Sequence, residues 1–470
     1  MKAALFVLVF AVSPVRAQAA SQQPSDAALP VGRRVPQAAS ELSLTMRVQA
    51  ALRYSPQLRA VRARSAQARA SVREASLSRL PRLSAQGSWT RSDDALFAFG
   101  SLLQQRTVTQ ADFDPSRVNH PGYRTDILGS LEAGLPLFTG FELTHARKQG
   151  ELAAEQADSS AQAFSQKLRY DVLDAHLRVL LARQSVEILR SRVDSAAREL
   201  ADADRLRLKG LVLGSDYYAA AGILEGLRAW KRRLEGELEA ARGGLTVLSG
   251  EGGEPAKTES LKEAAYPVPS LEEIERSALE RRSDLAAAAL QEDSARLGLS
   301  RAKLSISPRM DAFAALQLHS RDFSAAPSDR MFGVRLQAPF GDASYWARQE
   351  GARQRLAQAG AERADAVDAA RLQSVQARAG YAAVVESLPQ MRDMVERVGR
   401  SLELFRPLYR EGRQSVLEVL RAEEALARAQ TALLESFYRV HSGWAGVRLA
   451  AGTLDDEAVA AVARNLETAQ

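Results

Sequence analysis

The stretch LRYDVLDAHLRVLLARQSVEILRSRVDSAAREL, residues 168–200, sets the architecture of this chain. Leu168, Val172, Ala175, Val179, Ala182, Val186, Leu189, Val193, Ala196 and Leu200 follow one another at spacings of 4 and 3 without a slip. A mean spacing of about 3.5 residues keeps one seam of a helix against a partner and winds the pair into a left-handed coiled coil. Ala175, Ala182 and Ala196 let the two axes approach closely. No proline occurs between Pro136 and Pro255, so the helix extends over 142–208. At about 1.5 Å per residue this is on the order of 100 Å, more than a compact soluble domain needs.

The same seam returns as Tyr381, Val384, Leu388, Met391, Val395, Val398, Leu402 and Phe405, in the same phase relative to Gly412 as the first seam to Gly210. Here Pro389 and Pro407 predict kinks that the first copy lacks. The whole chain is duplicated in this way. Leu44, Leu52, Leu58 and Pro81 lie 8, 6 and 23 residues apart, and so do Leu271, Leu279, Leu285 and Pro308. Pro136 and Gly210 are 74 apart, Pro339 and Gly412 are 73 apart, and Gly210–Gly250 matches Gly412–Gly452 at 40. Each copy predicts a helix (44–80, 271–307), two short strands, then a long helical stretch broken once at the matched glycine. The first repeat is 41–250, the second 271–454, with a Gly-, Pro- and charge-rich linker at 251–270 and a C-terminal tail at 455–470.

The 470 residues, which ordinary scaling divides into about three domains, are thus two copies of one unit. The 29 Gly, 17 Pro and 6% aromatics suit long helices rather than a loop-rich β protein. Zero cysteine excludes disulfide frameworks, thiolate metal sites, cysteine nucleophiles and lipid attachment to an N-terminal cysteine. A net charge of +6 over the whole chain gives no nucleic-acid footprint. After the N-terminus no run of 18 apolar residues occurs, so no transmembrane helix is expected. Met1-Lys2, the apolar Ala3–Val12 and the small-x-small site Ala17-Gln18-Ala19 predict a cleaved signal peptide over 1–19 and export; 20–40 has the composition of a disordered leader.

The segments between helices alternate at period two, with strands expected at about 82–92, 125–138, 309–320 and 331–340. One face is apolar (Leu83, Trp89, Ile127, Leu131, Leu316, Val334), and Glu132, Asp311, Gln317, His319 and Arg335 fall on the other. About ten residues suit a tilted strand of a membrane barrel. Four strands cannot close a barrel, and lipid does not tolerate an open sheet edge, so several chains must share one barrel with those five side chains in its lumen.

At this point the chain resembles the TolC-type outer-membrane efflux proteins. The resemblance lies in SPQLRAVRARSAQARASVREA followed by LPRLSAQGSW within 44–89, LPLFTGFELTHARKQ at 135–149, YREGRQSVLEVLRAEEALARAQ at 409–430 and LAAGTL at 449–454. It covers about 41–454 and implies a mainly α fold with a β-barrel part. Each chain would be a duplicated strand-strand-helical-hairpin unit, and a homotrimer would form a 12-stranded outer-membrane barrel continued by a 12-helix periplasmic coiled-coil tunnel. Copy two reads Pro339-Phe340-Gly341 where copy one has the full Pro-Leu-Phe-x-Gly.

Carried across by position, the family's periplasmic tip turns fall at Lys209–Asp216 and Glu411–Glu418, around Gly210 and Gly412. Asp216 and Tyr409 take the place of an interhelix pair, and Gln414 stands where some members have a clamping arginine. Two acidic positions three apart correspond to Glu418 and Arg421, so the second acid is a base here. An i,i+3 surface ion pair is the alternative for these two.

Other chemistries find little support. Five histidines (His120, His145, His176, His319, His441) show no ligand spacing, and Ala256 before Lys257-Thr258 breaks a P-loop pattern. Carboxylate neighbours such as Glu423-Glu424 are expected on solvated helix faces. No cofactor, metal or catalytic residue is expected, and the chain is not an enzyme. The resemblance implies a passive exit duct in the cell outer membrane, loaded by a periplasmic adaptor (membrane fusion) protein and an inner-membrane pump of RND or ABC type, for small molecules or polypeptides. The competing class is a periplasmic coiled-coil scaffold without a barrel, which leaves the four alternating segments unexplained.

Overall fold

The computed structural model describes residues 41–322, 327–339 and 341–467; the expected signal peptide 1–19, the leader 20–40 and Phe340 lie outside the described residues. The described chain forms two compact units, one of 69–151 and 295–355, which holds the strands, and a helical one of 41–68, 152–294 and 356–467.

In the first repeat, α1 (Leu44–Tyr54) and α2 (Pro56–Leu77) precede β1 (Arg82–Ser92). Helices α3 (Ala95–Gln104) and α4 (Pro115–Asn119) lead to β2 (Arg124–Phe138), followed by α5 (Glu142–Leu208) and α6 (Gly214–Ser249). The second repeat runs α7 (Leu271–Arg281), α8 (Ser283–Lys303), β3 (Arg309–Ser320), β4 (Ser328–Gln337), α9 (Tyr345–Arg410) and α10 (Val416–Ala450). Helix α11 (Asp456–Leu466) follows. The molecule is mainly helical with one small sheet.

The single helices expected over 44–80 and 271–307 are each split, at Ser55 (ψ 115°) and Arg282 (ψ 115°). In the first copy the cause is local, because Pro56 disfavours helical geometry at the residue before it. In the second it is tertiary. Arg282 turns out of the helix to bind Asp284 in a fork (3.1 and 2.7 Å) and Gln373 at 2.9 Å. The matched Gly452, at φ +70°, brings its chain so close that a Cβ there would stand 2.9 Å from the Arg282 amide nitrogen. Both breaks fall at equivalent positions, as a duplicated unit requires.

The sheet order is β1-β2-β3-β4, all antiparallel. Register puts Leu83 opposite Ala133, Ala133 opposite Ala314 and Ala314 opposite Phe332 on one face. On the other, Ser84 faces Glu132, Ser130 faces Gln317, and Asp311 faces Arg335. Strand β4 starts at Ser328, three residues before the expected 331, because Asp329 and Arg330 continue the ladder opposite Gln317 and Leu316. It ends before Pro339, which has no amide to donate. Arg91, inside the expected first strand, and Arg330, in the extension of β4, both fall on the otherwise apolar face.

Helix α5 spans the whole expected range, and Leu168, Val172, Val179, Ala182, Leu189, Ala196 and Leu200 of its seam are buried. Helix α9 continues through Pro389 and Pro407. No helix among the described residues is long and apolar enough to cross a membrane. Buried leucines of this kind each contribute about 1.5–3 kcal/mol, which is how helices of mixed surface charge stay paired. The seam widens midway, where Leu173, His176, Leu177 and Leu180 are buried as well.

The widening is caused by segments that the sequence presented as linker and tail. The 251–270 stretch bridges at Pro255 to Leu42 and at Glu259 to Glu467, and buries Leu261. Residues 455–470 contribute α11, capped by Asp455 on the Ala458 amide at 2.8 Å and buried through Val459, Val462 and Leu466. Glu259 is 1% exposed; it accepts from the Leu44 amide (3.0 Å) and from His176 Nε2 (2.8 Å). Arg183 binds the Pro255 carbonyl at 3.2 Å, and the buried Arg47 binds that of Gly253 at 2.9 Å. Tyr266 stacks on Trp444 at 4.5 Å and donates to His441 Nδ1 at 2.8 Å, while Nε2 of that ring donates to the Lys262 carbonyl at 3.0 Å.

Candidate functional site

The two hairpin turns close alike. After α5, the amides of Gly210 and Leu211 bond the carbonyls of Arg207 (2.9 Å) and Leu206 (3.0 Å); after α9, those of Gly412 and Arg413 bond Tyr409 (2.9 Å) and Leu408 (2.8 Å). Gly210 and Gly412 have φ of +74° and +73°, the left-handed geometry that ends a helix most cheaply at glycine. Ser415 caps α10 by accepting from the Leu417 amide at 3.1 Å, and Glu418 in its first turn complements the helix dipole.

The contact between the two turns differs from the one expected. Asp216 accepts from Ser415 Oγ at 2.6 Å. Tyr409 is buried at 5% exposure, and its hydroxyl has no hydrogen-bond partner among the described residues. Burial, with Glu199 and Asp202 nearby, holds that hydroxyl above the usual tyrosine range. The sequence signal for Ser415 was its place before an apolar helical run, which reads as a cap; its second partner is visible only in three dimensions. Glu418 and Arg421 form the i,i+3 ion pair at 2.7 Å, and Arg413 lies 3.5 Å from Glu411. Gln414 is half-buried.

Farther up the helices sits a charge cluster that the sequence hid. Glu423, expected on a solvated face, is fully buried and lies 3.3 Å from Arg192 on α5 and 2.5 Å from Arg406 on α9. Arg406 also reaches Ser195 Oγ at 3.1 Å and Glu199 at 3.4 Å. Its neighbour Glu424 makes a surface pair with Arg428 at 2.7 Å. One carboxylate thus ties α10 to both α5 and α9. The tip of the first hairpin carries a further unforeseen feature. Leu208, Leu211, Leu213 and Tyr218 are 68–72% exposed, an apolar group with no cover among the described residues.

In the strand unit, register brings Glu132, Asp311, Gln317, His319 and Arg335 to one face of the sheet. Arg335 lies opposite Asp311 and over the Phe313 ring at 5.1 Å. Glu132 and Arg335 are exposed, and Asp311 and Gln317 are half-buried. His319 departs from the expected open position: it is 4% exposed, with Nδ1 at 2.9 Å from Asp126 Oδ2. No group of His, Asp or Glu side chains suited to a metal ion occurs among the described residues.

Among solved structures, the chain is similar to the CmeC outer membrane channel of Campylobacter jejuni at 16% identity, covering 90% of each chain with a TM-score of 0.76. It is similar to the outer membrane protein VceC of Vibrio cholerae at 17% identity, covering 87% of this chain and 96% of that one, TM-score 0.73. The open MtrE channel of Neisseria gonorrhoeae matches at 16% identity over 88% and 90%, TM-score 0.72. Among curated proteins no sequence matches. The family model for outer membrane efflux proteins matches residues 48–251 and 275–453, both repeats in full register with the duplication, and the chain therefore belongs to the outer membrane efflux protein family, whose members are channels and not enzymes.

Proposed function

We propose that three copies of this chain form one exit duct, a closed twelve-stranded barrel in the outer membrane continued by a periplasmic tunnel of helical hairpins. The observation that carries it is the four-stranded sheet, with one polar face, one apolar face and both outer strands β1 and β4 unpaired on one side among the described residues. In lipid those edges need partners, and the same sheet of the next copy supplies them. The polar face then lines the lumen with Glu132, Asp311, Gln317 and Arg335. The Arg335–Asp311 pairing and the Glu418–Arg421 pair make both lumen and tip mixed in charge rather than strongly cation-selective.

The duct is passive and is fed by an inner-membrane pump of RND or ABC type through a periplasmic adaptor. Support for the adaptor comes from the uncovered Leu208, Leu211, Leu213 and Tyr218 at the first tip, since an apolar group of this kind marks a protein contact. The cargo, small molecules or polypeptides, is selected by the pump. The gate lies at the tips, where Asp216–Ser415 joins the two hairpins.

Membrane fractionation and heat-modifiable gel migration, followed by planar-bilayer recording, test the duct. An outer-membrane, heat-sensitive oligomer that conducts supports it. A soluble protein lacking conductance, as a periplasmic scaffold would be, rules it out.

A further inference from the structure

The polar face of the sheet is not equally open along its length. Glu132 and Arg335 are exposed, Asp311 and Gln317 half-buried, and Asp126 and His319 are 6% and 4% exposed at the end next to the 93–123 segment. What covers that end is the segment itself. Gln105, the C-cap of α3, donates from Nε2 to Asp126 Oδ1 and to the Thr125 carbonyl, both at 2.9 Å, and Asp126 in turn holds His319. Arg106 reaches Asp329 at the start of β4 at 3.2 Å. Ala98, Ser101 and Leu102 are buried beneath α3, and Asp94 caps it on the Phe97 amide at 2.8 Å. The segment is therefore a folded element fastened over the polar face.

The composition of α3 does not suit the rim of an open water-filled mouth. ALFAFGSLLQ carries no charge in a chain that is 26% charged. On the side away from Ala98, Ser101 and Leu102, it exposes Leu96 (82%) and Leu103 (49%), seven residues apart on one stripe. Resting as it does on the three-copy duct proposed above, the placement gives this stripe one natural cover. A helix fastened to the lumenal face points its free side toward the axis, where only the same helix of the other copies is present.

We infer that α3 is an inward-folded plug at the loop end of the barrel, where the Leu96 and Leu103 stripes of the three copies meet and close the mouth. Three uncharged helices side by side leave an apolar constriction, and narrow apolar constrictions stop ion flow by excluding water. The Gln105–Asp126–His319 chain positions each helix, and the duct would then carry a closure at this end independent of the periplasmic tip.

The chain holds no cysteine, so Leu103→Cys gives the full-length protein a single thiol. Copper-catalysed oxidation or a short bis-maleimide, applied to the protein in outer membranes, is expected to yield covalent dimers on a non-reducing gel. Oxidation is expected to lower single-channel conductance, and reduction to restore it. The double change Leu96→Ser with Leu103→Ser, which leaves the buried side of α3 intact, is expected to raise conductance above wild type. The plug is overturned if wild type forms a conducting, heat-modifiable oligomer while Leu103→Cys gives no dimers with either reagent. It is equally overturned if the double serine variant conducts like wild type. A wild-type protein that neither oligomerises nor conducts defeats the duct itself, and the plug with it.

Discussion

Arg406 on α9 holds the fully buried carboxylate of Glu423 on α10 at 2.5 Å, and Arg192 on α5 approaches the same carboxylate at 3.3 Å. Three helices from two hairpins meet at this one anion. Removing a partner from a buried ion pair leaves an uncompensated charge and costs about 3–5 kcal/mol. Glu423→Ala is expected to be among the most destabilising single changes in the helical unit, lowering the urea midpoint of the oligomer markedly. Glu424→Ala, which breaks only a surface pair, is expected to leave the midpoint where it was, a change of about 0.5 kcal/mol at most.

Asp216 is joined to Ser415, and this reassigns the tip contact. Asp216→Ala is expected to remove a hydrogen bond to a carboxylate, about 1.5–3 kcal/mol per copy as an upper range, and to raise single-channel conductance. Ser415→Ala should do the same, with about 1 kcal/mol more lost at the α10 cap. Tyr409→Phe removes a hydroxyl that bonds nothing among the described residues and is expected to leave conductance unchanged. Conductance raised by Tyr409→Phe but not by Ser415→Ala would return the gate to the aspartate–tyrosine pair.

His441 ties the 251–270 segment to α10, and burial pushes its pKa down to about 4, against the opposing pull of the Lys262 carbonyl. In the unfolded chain the same imidazole takes up a proton near pH 6.5. Between these values the unfolded state binds the additional proton, so stability is full above about pH 6.5 and falls as the pH drops, the loss being complete below about 4. The expected size is about 3 kcal/mol for this ring. His176, pushed down by its own burial and only partly rescued by Glu259, acts in the same direction. Urea midpoints measured across this pH range are expected to fall, and His441→Gln, which keeps a donor and an acceptor, is expected to flatten the slope.

Gly452 and Gly412 both sit at positive φ, +70° and +73°, but in different surroundings. A Cβ at Gly452 meets backbone, 2.9 Å from the Arg282 nitrogen and 3.0 Å from the Arg281 carbonyl carbon, whereas at Gly412 nothing lies within 4 Å. Gly412→Ala is expected to cost about 1–2 kcal/mol of conformational strain alone. Gly452→Ala adds a clash that neither backbone can relieve by rotating a side chain, and its thermal midpoint should fall further. Equal shifts in the two variants would show that the close approach at Arg282 is not maintained.

Periodic features were legible in the chain itself. A seam of period 3.5 specifies a long paired helix whatever the partner, and period-two alternation specifies which face of a strand is apolar; hence α5 over 142–208 and the common face of Glu132, Asp311, Gln317 and Arg335. The duplication also told in advance that features would come in pairs, and Gly210 and Gly412 end their helices identically. What could not be read there depends on segments distant in sequence. Glu423 and Glu424 are neighbours of one residue type, yet only the first meets Arg192 and Arg406 across the bundle. The same holds for the docked 251–270 segment, for Ser415 rather than Tyr409 as the partner of Asp216, and for His319 beneath Gln105 and Asp126. Local pattern expresses the backbone's own preferences, and those survive any context. The partner of a polar side chain is set by which chains pack beside it, and that is settled only when the helices and the sheet are assembled.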